Sequence, residues 1–217
     1  MTEPLLLGHR GARASRHIPE NSLASFELCL QHGCDGFEFD VRLSRDGQAV
    51  ICHDARFGGI SIATATAESL ALPTLEDVLR QFGSRAFLDI ELKVGGLERR
   101  TVSALLAHPP RKGYVVSSFL PEVLAAVHSV DAAIPLGLLC ESRSELRAWR
   151  ETAAEWVIPH FKLVDEGLVE QVRGAGKKVM VWTVNRAARM REFAEWRMDA
   201  IISDETELMV RTLRNGQ

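Results

Sequence analysis

Apolar and polar positions along this chain follow two alternating periods. Short runs rich in β-branched and other apolar residues, at 5–8, 36–41, 87–92, 115–118, 134–139, 156–158, 179–183 and 200–202, read as strands. Segments with helical spacing of apolar residues follow them at 22–32, 74–82, 97–108, 121–130, 143–151, 166–175, 186–196 and 205–213. Strand–helix alternation of this kind predicts an α/β architecture with a parallel sheet. About eight units are present, the count that a closed (β/α)8 TIM barrel requires, in slightly less than its usual ~250 residues. An open doubly wound sheet is the competing arrangement.

One segment breaks the alternation. Asp46-Gly47 is a turn dipeptide between Val41-Arg42-Leu43 and Ala49-Val50-Ile51-Cys52, which predicts a hairpin that delivers His53-Asp54. Residues 55–72, rich in Ala, Ser, Thr and Gly, have no clear period and read as a loop over the barrel mouth. No low-complexity linker or sequence repeat divides the chain, so a single domain over 1–217 is expected.

Composition narrows the class. With 217 residues, 46% hydrophobic and 25% charged, the chain can bury a large core. A formal net charge of -3 argues against the broad basic surface that nucleic-acid binding needs, while leaving room for a local anion pocket. Cys29, Cys34, Cys52 and Cys140 form no CxxC pair and read as reduced packing residues. The start, Met1-Thr2-Glu3-Pro4 followed by Leu5-Leu6-Leu7, reads as leaderless, having no basic stretch and too short an apolar run for a signal peptide, and no run approaches the roughly 20 apolar residues of a membrane span. A cytoplasmic enzyme without stable membrane insertion is the expectation; oligomeric state is not encoded in any feature of the pattern.

Chemically interesting residues fall at the C-terminal ends of the predicted strands, where barrel active sites sit. These are Gly8-His9-Arg10, Glu38 and Asp40, Glu91 and Lys93, Ser118, Trp182 and Asp204. Glu38 and Asp40 are two apart on a strand and share a side, as do Glu91 and Lys93, with Asp89 one layer deeper. Carboxylates converging on one mouth repel unless a cation lies between them, and an all-oxygen set suits Mg²⁺ or Ca²⁺; surface ion pairs are the plainer alternative. His9 and His53 are each placed to reach that mouth, where two imidazoles beside a cation can act as acid and base. Taken singly, each also fits a hydrogen-bonded structural histidine. Arg10 and Lys93 suit either a clamp on an anion's oxygens or salt bridges to the carboxylates.

Taken in order, several motifs resemble the glycerophosphodiester phosphodiesterase family over nearly the whole chain. They are Leu7-Gly8-His9-Arg10-Gly11, Pro19-Glu20-Asn21-Ser22, Gly36-Phe37-Glu38-Phe39-Asp40-Val41, Asp46-Gly47, His53-Asp54, Pro73-Thr74-Leu75, Glu91-Leu92-Lys93, Ser118-Phe119 and Val181-Trp182-Thr183-Val184-Asn185. The resemblance implies a distorted TIM barrel that cleaves glycerophosphodiesters to glycerol 3-phosphate and an alcohol. It implies His9 and His53 as the acid–base pair and Glu38, Asp40 and Glu91 as ligands of the divalent cation. Arg10 and Lys93 would hold phosphate, Trp182 would line the substrate pocket, and Glu20 and Asn21 would brace the His9 loop. For Trp182, core packing is the competing role.

Family members usually carry a longer insertion between the second histidine and the Pro-Thr-Leu segment, so 55–72 is short and its sequence does not match the usual pattern. The family's Asn-Thr and Thr-Asp become Asn21-Ser22 and Ser203-Asp204, which keep the hydroxyls. Three other readings compete: a phospholipase-D-like activity on lysolipids, a non-catalytic phosphodiester-binding barrel, and an aldolase or isomerase. Retention of both histidines and all three carboxylates opposes the second. No Schiff-base lysine or carbonyl-polarising set can be placed for the third.

Overall fold

The computed structural model describes residues 3–214. Met1 and Thr2, part of the start read as leaderless, and residues 215–217 lie outside the described residues. The first elements are β1 (Leu5–Gly8), α1 (Leu23–Gln31), β2 (Gly36–Leu43), β3 (Ala49–Ile51), β4 (Arg56–Phe57), β5 (Ile60–Ser61), α2 (Ala67–Leu70) and α3 (Leu75–Phe82). There follow β6 (Phe87–Leu92), α4 (Glu98–Ala107), β7 (Tyr114–Ser118), α5 (Pro121–Val130), β8 (Leu136–Cys140) and α6 (Arg143–Arg147). The last are β9 (Trp156–Pro159), α7 (Glu166–Gly174), β10 (Lys178–Val181), α8 (Ala187–Glu195), β11 (Ala200–Ser203) and α9 (Thr206–Leu213).

β1, β2, β6, β7, β8, β9, β10 and β11 pair in parallel in that order, and β11 returns to β1, with Gly8 opposite Ser203. The eight-stranded parallel barrel is therefore closed, as the strand–helix alternation predicts, and the open sheet is excluded. β3 lies outside the ring, antiparallel to β2 with Val41 opposite Ile51; it is the predicted hairpin.

Strand side chains alternate between two cores. Outward residues such as Phe37 and Phe39 meet the helices: Phe26 of α1 stacks on Phe37 at 4.3 Å, and Phe82 of α3 meets the same ring edge-on at 5.2 Å. Inward residues of the other strands form a second apolar cluster that includes Leu7, Phe87, Trp156, Ile158, Met180 and Ile202. β2 and β6 break that apolar lining. Their register sets Glu38 beside Asp89 and Asp40 beside Glu91, so four carboxyls enter one side of the interior. At the base of the same pair, a side chain on Gly36 would collide with the Phe87 carbonyl, so β2 and β6 approach closely only because that position is glycine.

Helix starts follow ordinary capping chemistry. Ser22 accepts from Ser25 N–H, Asp165 accepts from Leu168 N–H, and Thr74 with Asp77 forms a full capping box at α3. Pro121 opens α5. The predicted 143–151 helix divides into α6 and a 3₁₀ turn at Ala148–Arg150.

Residues 55–72 differ from the expected loop. They hold the small β4–β5 hairpin, a 3₁₀ turn at Ile62–Thr64 and α2. Ile62, Ala65 and Leu70 pack onto Val50 and Cys52, and none of 55–72 lines the mouth cavity. Phe57 shares a cavity with His53 at the mouth, and the segment sits against the β3 hairpin through Ile62, Ala65 and Leu70. Those few apolar side chains have a hydrophobic surface of β3 to cover, which is where burial drives them. Among the described residues, no helix is long and apolar enough to cross a membrane.

Candidate active site

At the C-terminal ends of β2 and β6, one oxygen from each of Glu38, Asp40 and Glu91 lies within 4.8 Å of the others, and all three residues are buried. Glu38 Oε2 accepts from the Arg10 N–H at 3.0 Å, whereas Glu38 Oε1 is buried with no hydrogen-bond partner. Lys93 Nζ approaches Glu91 Oε1 at 2.6 Å and Asp40 Oδ1 at 3.2 Å.

Burial and the charges of Asp40, Glu91 and Asp89 push the Glu38 carboxyl well above its ordinary range. Burial and Asp40 push Glu91 up to about 8, against the pull of Lys93. Burial also acts upward on Asp40, but Lys93, Arg10 and the Asn21 amide overcome it and hold that carboxyl below its usual value. A buried, mutually repelling oxygen cluster with an orphaned acceptor fits a hard divalent cation, which would satisfy the acceptor and offset the repulsion. Behind it, Asp89 accepts from the Ser117 hydroxyl at 2.5 Å, and burial raises it to about 7.

The chain leaves β1 through a turn built around Arg10, whose φ of 52° is left-handed. Three hydrogen bonds hold it: Arg10 N–H to Glu38, and the Asn21 N–H and Ser25 hydroxyl to the Arg10 carbonyl. Gly11 follows at φ 82°, where a side chain would strike Ser25. This turn carries His9 to the mouth. His9 Nδ1 meets Asp204 Oδ1 at 2.7 Å, and its Nε2 lies 3.9 Å from Glu38 Oε2. With Nδ1 engaged by a carboxylate, the ring is fixed with Nε2 turned inward.

His53 repeats the pattern at the end of the hairpin, with Nδ1 2.8 Å from Asp54 Oδ1. Burial lowers the pKa of His53, with Asp40 and Asp54 opposing. Arg42 Nε donates to the His53 carbonyl at 2.7 Å and fixes its backbone.

His9, Arg10, Glu38, His53, Glu91, Lys93 and Trp182 line one cavity of about 300 Å³. Asp40 sits behind it in the carboxylate cluster. The fold therefore brings together all eight residues singled out in the sequence. Arg10 and Lys93 face carboxylates: Arg10 Nη1 meets Glu20 at 2.7 Å and its Nε meets Asp40 at 3.2 Å. Glu20 and Asn21 brace this loop as expected, and Asn21 also donates to Asp40 Oδ2 at 2.7 Å. Trp182 is a wall of the cavity, its Nε1 donating to the Ile158 carbonyl and its ring edge-on to Phe119 at 5.5 Å.

Four residues of this neighbourhood carry no assigned role in the sequence reading: Asp54, Phe119, Glu141 and Asp204, the last noted only for its place at a strand end. Asp204 is the consequential one. It receives His9, the Asn185 amide at 2.6 Å and Arg13 at 3.2 Å. Burial opposes its ionisation, but these partners hold the carboxyl well below its usual range. The available signal was its position at the end of β11, which barrel closure sets beside β1.

The Glycerophosphoryl diester phosphodiesterase family model matches residues 9–61 and 58–208. The chain belongs to this family. Within the glycerophosphodiester phosphodiesterases, the enzyme of Caldanaerobacter subterraneus subsp. tengcongensis is 28% identical over 98% of each chain. A Bacillus subtilis glycerophosphodiester phosphodiesterase is 25% identical over 94% of this chain and 84% of its own. Among solved structures, an Oleispira antarctica phosphodiesterase in complex with the product sn-glycerol-3-phosphate superposes with a TM-score of 0.85 at 26% identity. That match covers 97% of this chain and 96% of the other. The Thermotoga maritima glycerophosphodiester phosphodiesterase gives 0.79 at 26% identity, over 97% and 99%. As a family member the chain is a phosphoric diester hydrolase.

Proposed function

We propose that this chain hydrolyses glycerophosphodiesters to glycerol 3-phosphate and an alcohol, using a divalent cation, Mg²⁺ or Ca²⁺, and two histidines. The observation that carries this reading is the convergence of His9 and His53 on one cavity beside Glu38, Asp40 and Glu91. A cation held by those three carboxylates would supply neutralisation of charge at a phosphoryl oxygen.

The remaining steps belong to the chain's own groups. His9 and His53 each turn Nε2 toward the diester because a carboxylate holds Nδ1. One imidazole takes the proton of the attacking oxygen, and the other donates to the departing alkoxide, which is too basic to leave unprotonated. Asp204 and Asp54 orient the rings and offset the charge that a ring gains with a proton. Arg10 and Lys93, already at the cavity wall, add positive charge for the phosphate oxygens. Trp182 and Phe119 supply an apolar wall against the glycerol carbons. The attacking oxygen is water or the neighbouring glycerol hydroxyl, the latter giving a cyclic phosphate first.

The test is a panel of water-soluble glycerophosphodiesters assayed for glycerol 3-phosphate with and without chelator. Release that stops with chelation and returns with Mg²⁺, Ca²⁺ or Mn²⁺ is expected; a panel wholly inert with cation present would overturn the reading. One observation favours lysolipids as a second substrate class. Phe57 and Ile60 stand 47% and 52% exposed, opposite each other on the β4–β5 hairpin, near enough to His53 that Phe57 shares a cavity with it. Product analysis on lysolipid substrates separates the two.

A further inference from the structure

A second cavity of about 500 Å³ is walled by residues at the end of β2 and just past His53 and Lys93, among them Arg42, Ser44, Arg45, Ala55, Ile62 and Gly95. No residue lines both cavities, but their walls are neighbours along the chain. Arg42 lies two residues beyond Asp40 on β2, Ala55 two beyond His53, and Gly95 two beyond Lys93. Arg42 is also tied to His53 directly, by its Nε donating to the His53 carbonyl.

The two cavities differ in charge. Glu38, Glu91 and Glu141 line the mouth, whereas no carboxylate lines the second cavity. Glu98, beside Gly95, accepts from the Gly96 N–H with both oxygens. Asp46 accepts from the Ser44 hydroxyl and the Ala67 N–H. Among the described residues the Arg45 side chain and the terminal nitrogens of Arg42 have no hydrogen-bond or ion-pair partner. The Arg45 guanidinium and the free terminal nitrogens of Arg42 feel the charges of Asp46 and Asp54, but neither carboxylate lines the cavity, so within it the two arginines attract an anion and repel an ammonium. Their placement suits the half of a diester that is not glycerol 3-phosphate if that half departs on the His53 side, where Arg42 holds the His53 backbone.

We propose that this cavity receives the alcohol half of the substrate and favours alcohols that carry an anionic group, a carboxylate or a second phosphate, over those that carry only an ammonium. The inference rests on the glycerophosphodiester reading of the mouth. It makes the selectivity a graded bias: Arg45 is exposed, so its attraction is screened and an ester without the anion is still accepted.

Two substrate pairs isolate the charge. Glycerophosphoserine and glycerophosphoethanolamine differ by one carboxylate; glycerophosphoglycerol with and without a terminal phosphate differs by one phosphate. In each pair kcat/KM should favour the anionic member by about two- to fivefold, with the margin narrowing as ionic strength rises. Arg45→Glu should abolish or invert both preferences, and Arg45→Lys should retain most of them. Arg45 is the chosen position because Arg42 also holds the His53 backbone.

Equal kcat/KM within both pairs, unmoved by Arg45→Glu, overturns the subsite while leaving the hydrolytic reading intact. Should no ester be turned over, calorimetric titration of the same esters reads the preference without catalysis. Tighter binding of the anionic members, lost in Arg45→Glu, then supports the subsite and sinks the hydrolytic reading; equal affinities sink both.

Discussion

At the scale of single residues, the proposed mechanism divides labour between groups that hold charge and groups that move protons. Replacing His9 or His53 by Ala should each lower turnover by about 10²–10⁴-fold. A nitrophenyl phosphodiester, whose leaving group needs no proton, should restore one of the two variants and not the other; recovery of both or neither would contradict the acid–base pairing. Asp204→Asn should lower kcat by about 10–100-fold with little change in KM, since it releases the His9 ring without touching substrate. Asp89 gives a prediction of a different kind. Burial raises it to about 7 in the fold, whereas an unfolded aspartate releases its proton near pH ~3.9. Between those values the folded state binds more protons, so stability falls as pH rises from about 4 to 7. Asp89→Asn removes that fall. Its Tm relative to the parent should therefore be higher at pH 8 than at pH 5 by several °C, measured by calorimetry on cation-free protein. Histidines and acidic residues at strand ends were legible from residue type and position alone. The role of Asp204 was not, because its meeting with His9 spans 195 residues and exists only through barrel closure.

At the scale of elements, what the sequence announced and what it hid follow from length. Strands such as Phe87–Leu92 are buried on every residue and so read as apolar runs even where Asp89 and Glu91 interrupt them. The segment 55–72 contains strands of two residues and a helix of four, too short for any period to register. Its position was hidden too, since it depends on the apolar face that β3 offers to Ile62 and Leu70. The α3 start was readable as Pro73-Thr74-Leu75, and the structure adds the reason: Thr74 and Asp77 cap each other's backbone. Thr74 also bridges to Val50 of β3. Thr74→Ala should cost about 1 kcal/mol, visible as a lower denaturation midpoint at unchanged m-value.

At the scale of the whole molecule, the closed barrel is the device that makes remote residues neighbours. β1 and β11 bring His9 to Asp204, and β2 and β6 bring Glu38 and Asp40 to Glu91. The strand–helix count made the barrel legible, and position at strand ends then implied one mouth. Which group partners His9 required the closed ring. The central claim is that Glu38, Asp40 and Glu91 hold a cation that His9 and His53 do not. It is tested most directly by turnover of one glycerophosphodiester titrated with Mg²⁺ or Ca²⁺ in the parent, Glu91→Gln and His53→Ala. Glu91→Gln should shift the midpoint to higher cation concentration and recover partly at excess. His53→Ala should keep the parent midpoint at a plateau lowered by about 10²–10⁴-fold. Rescue of His53→Ala by excess cation, or full activity of thoroughly stripped parent protein, would contradict the account.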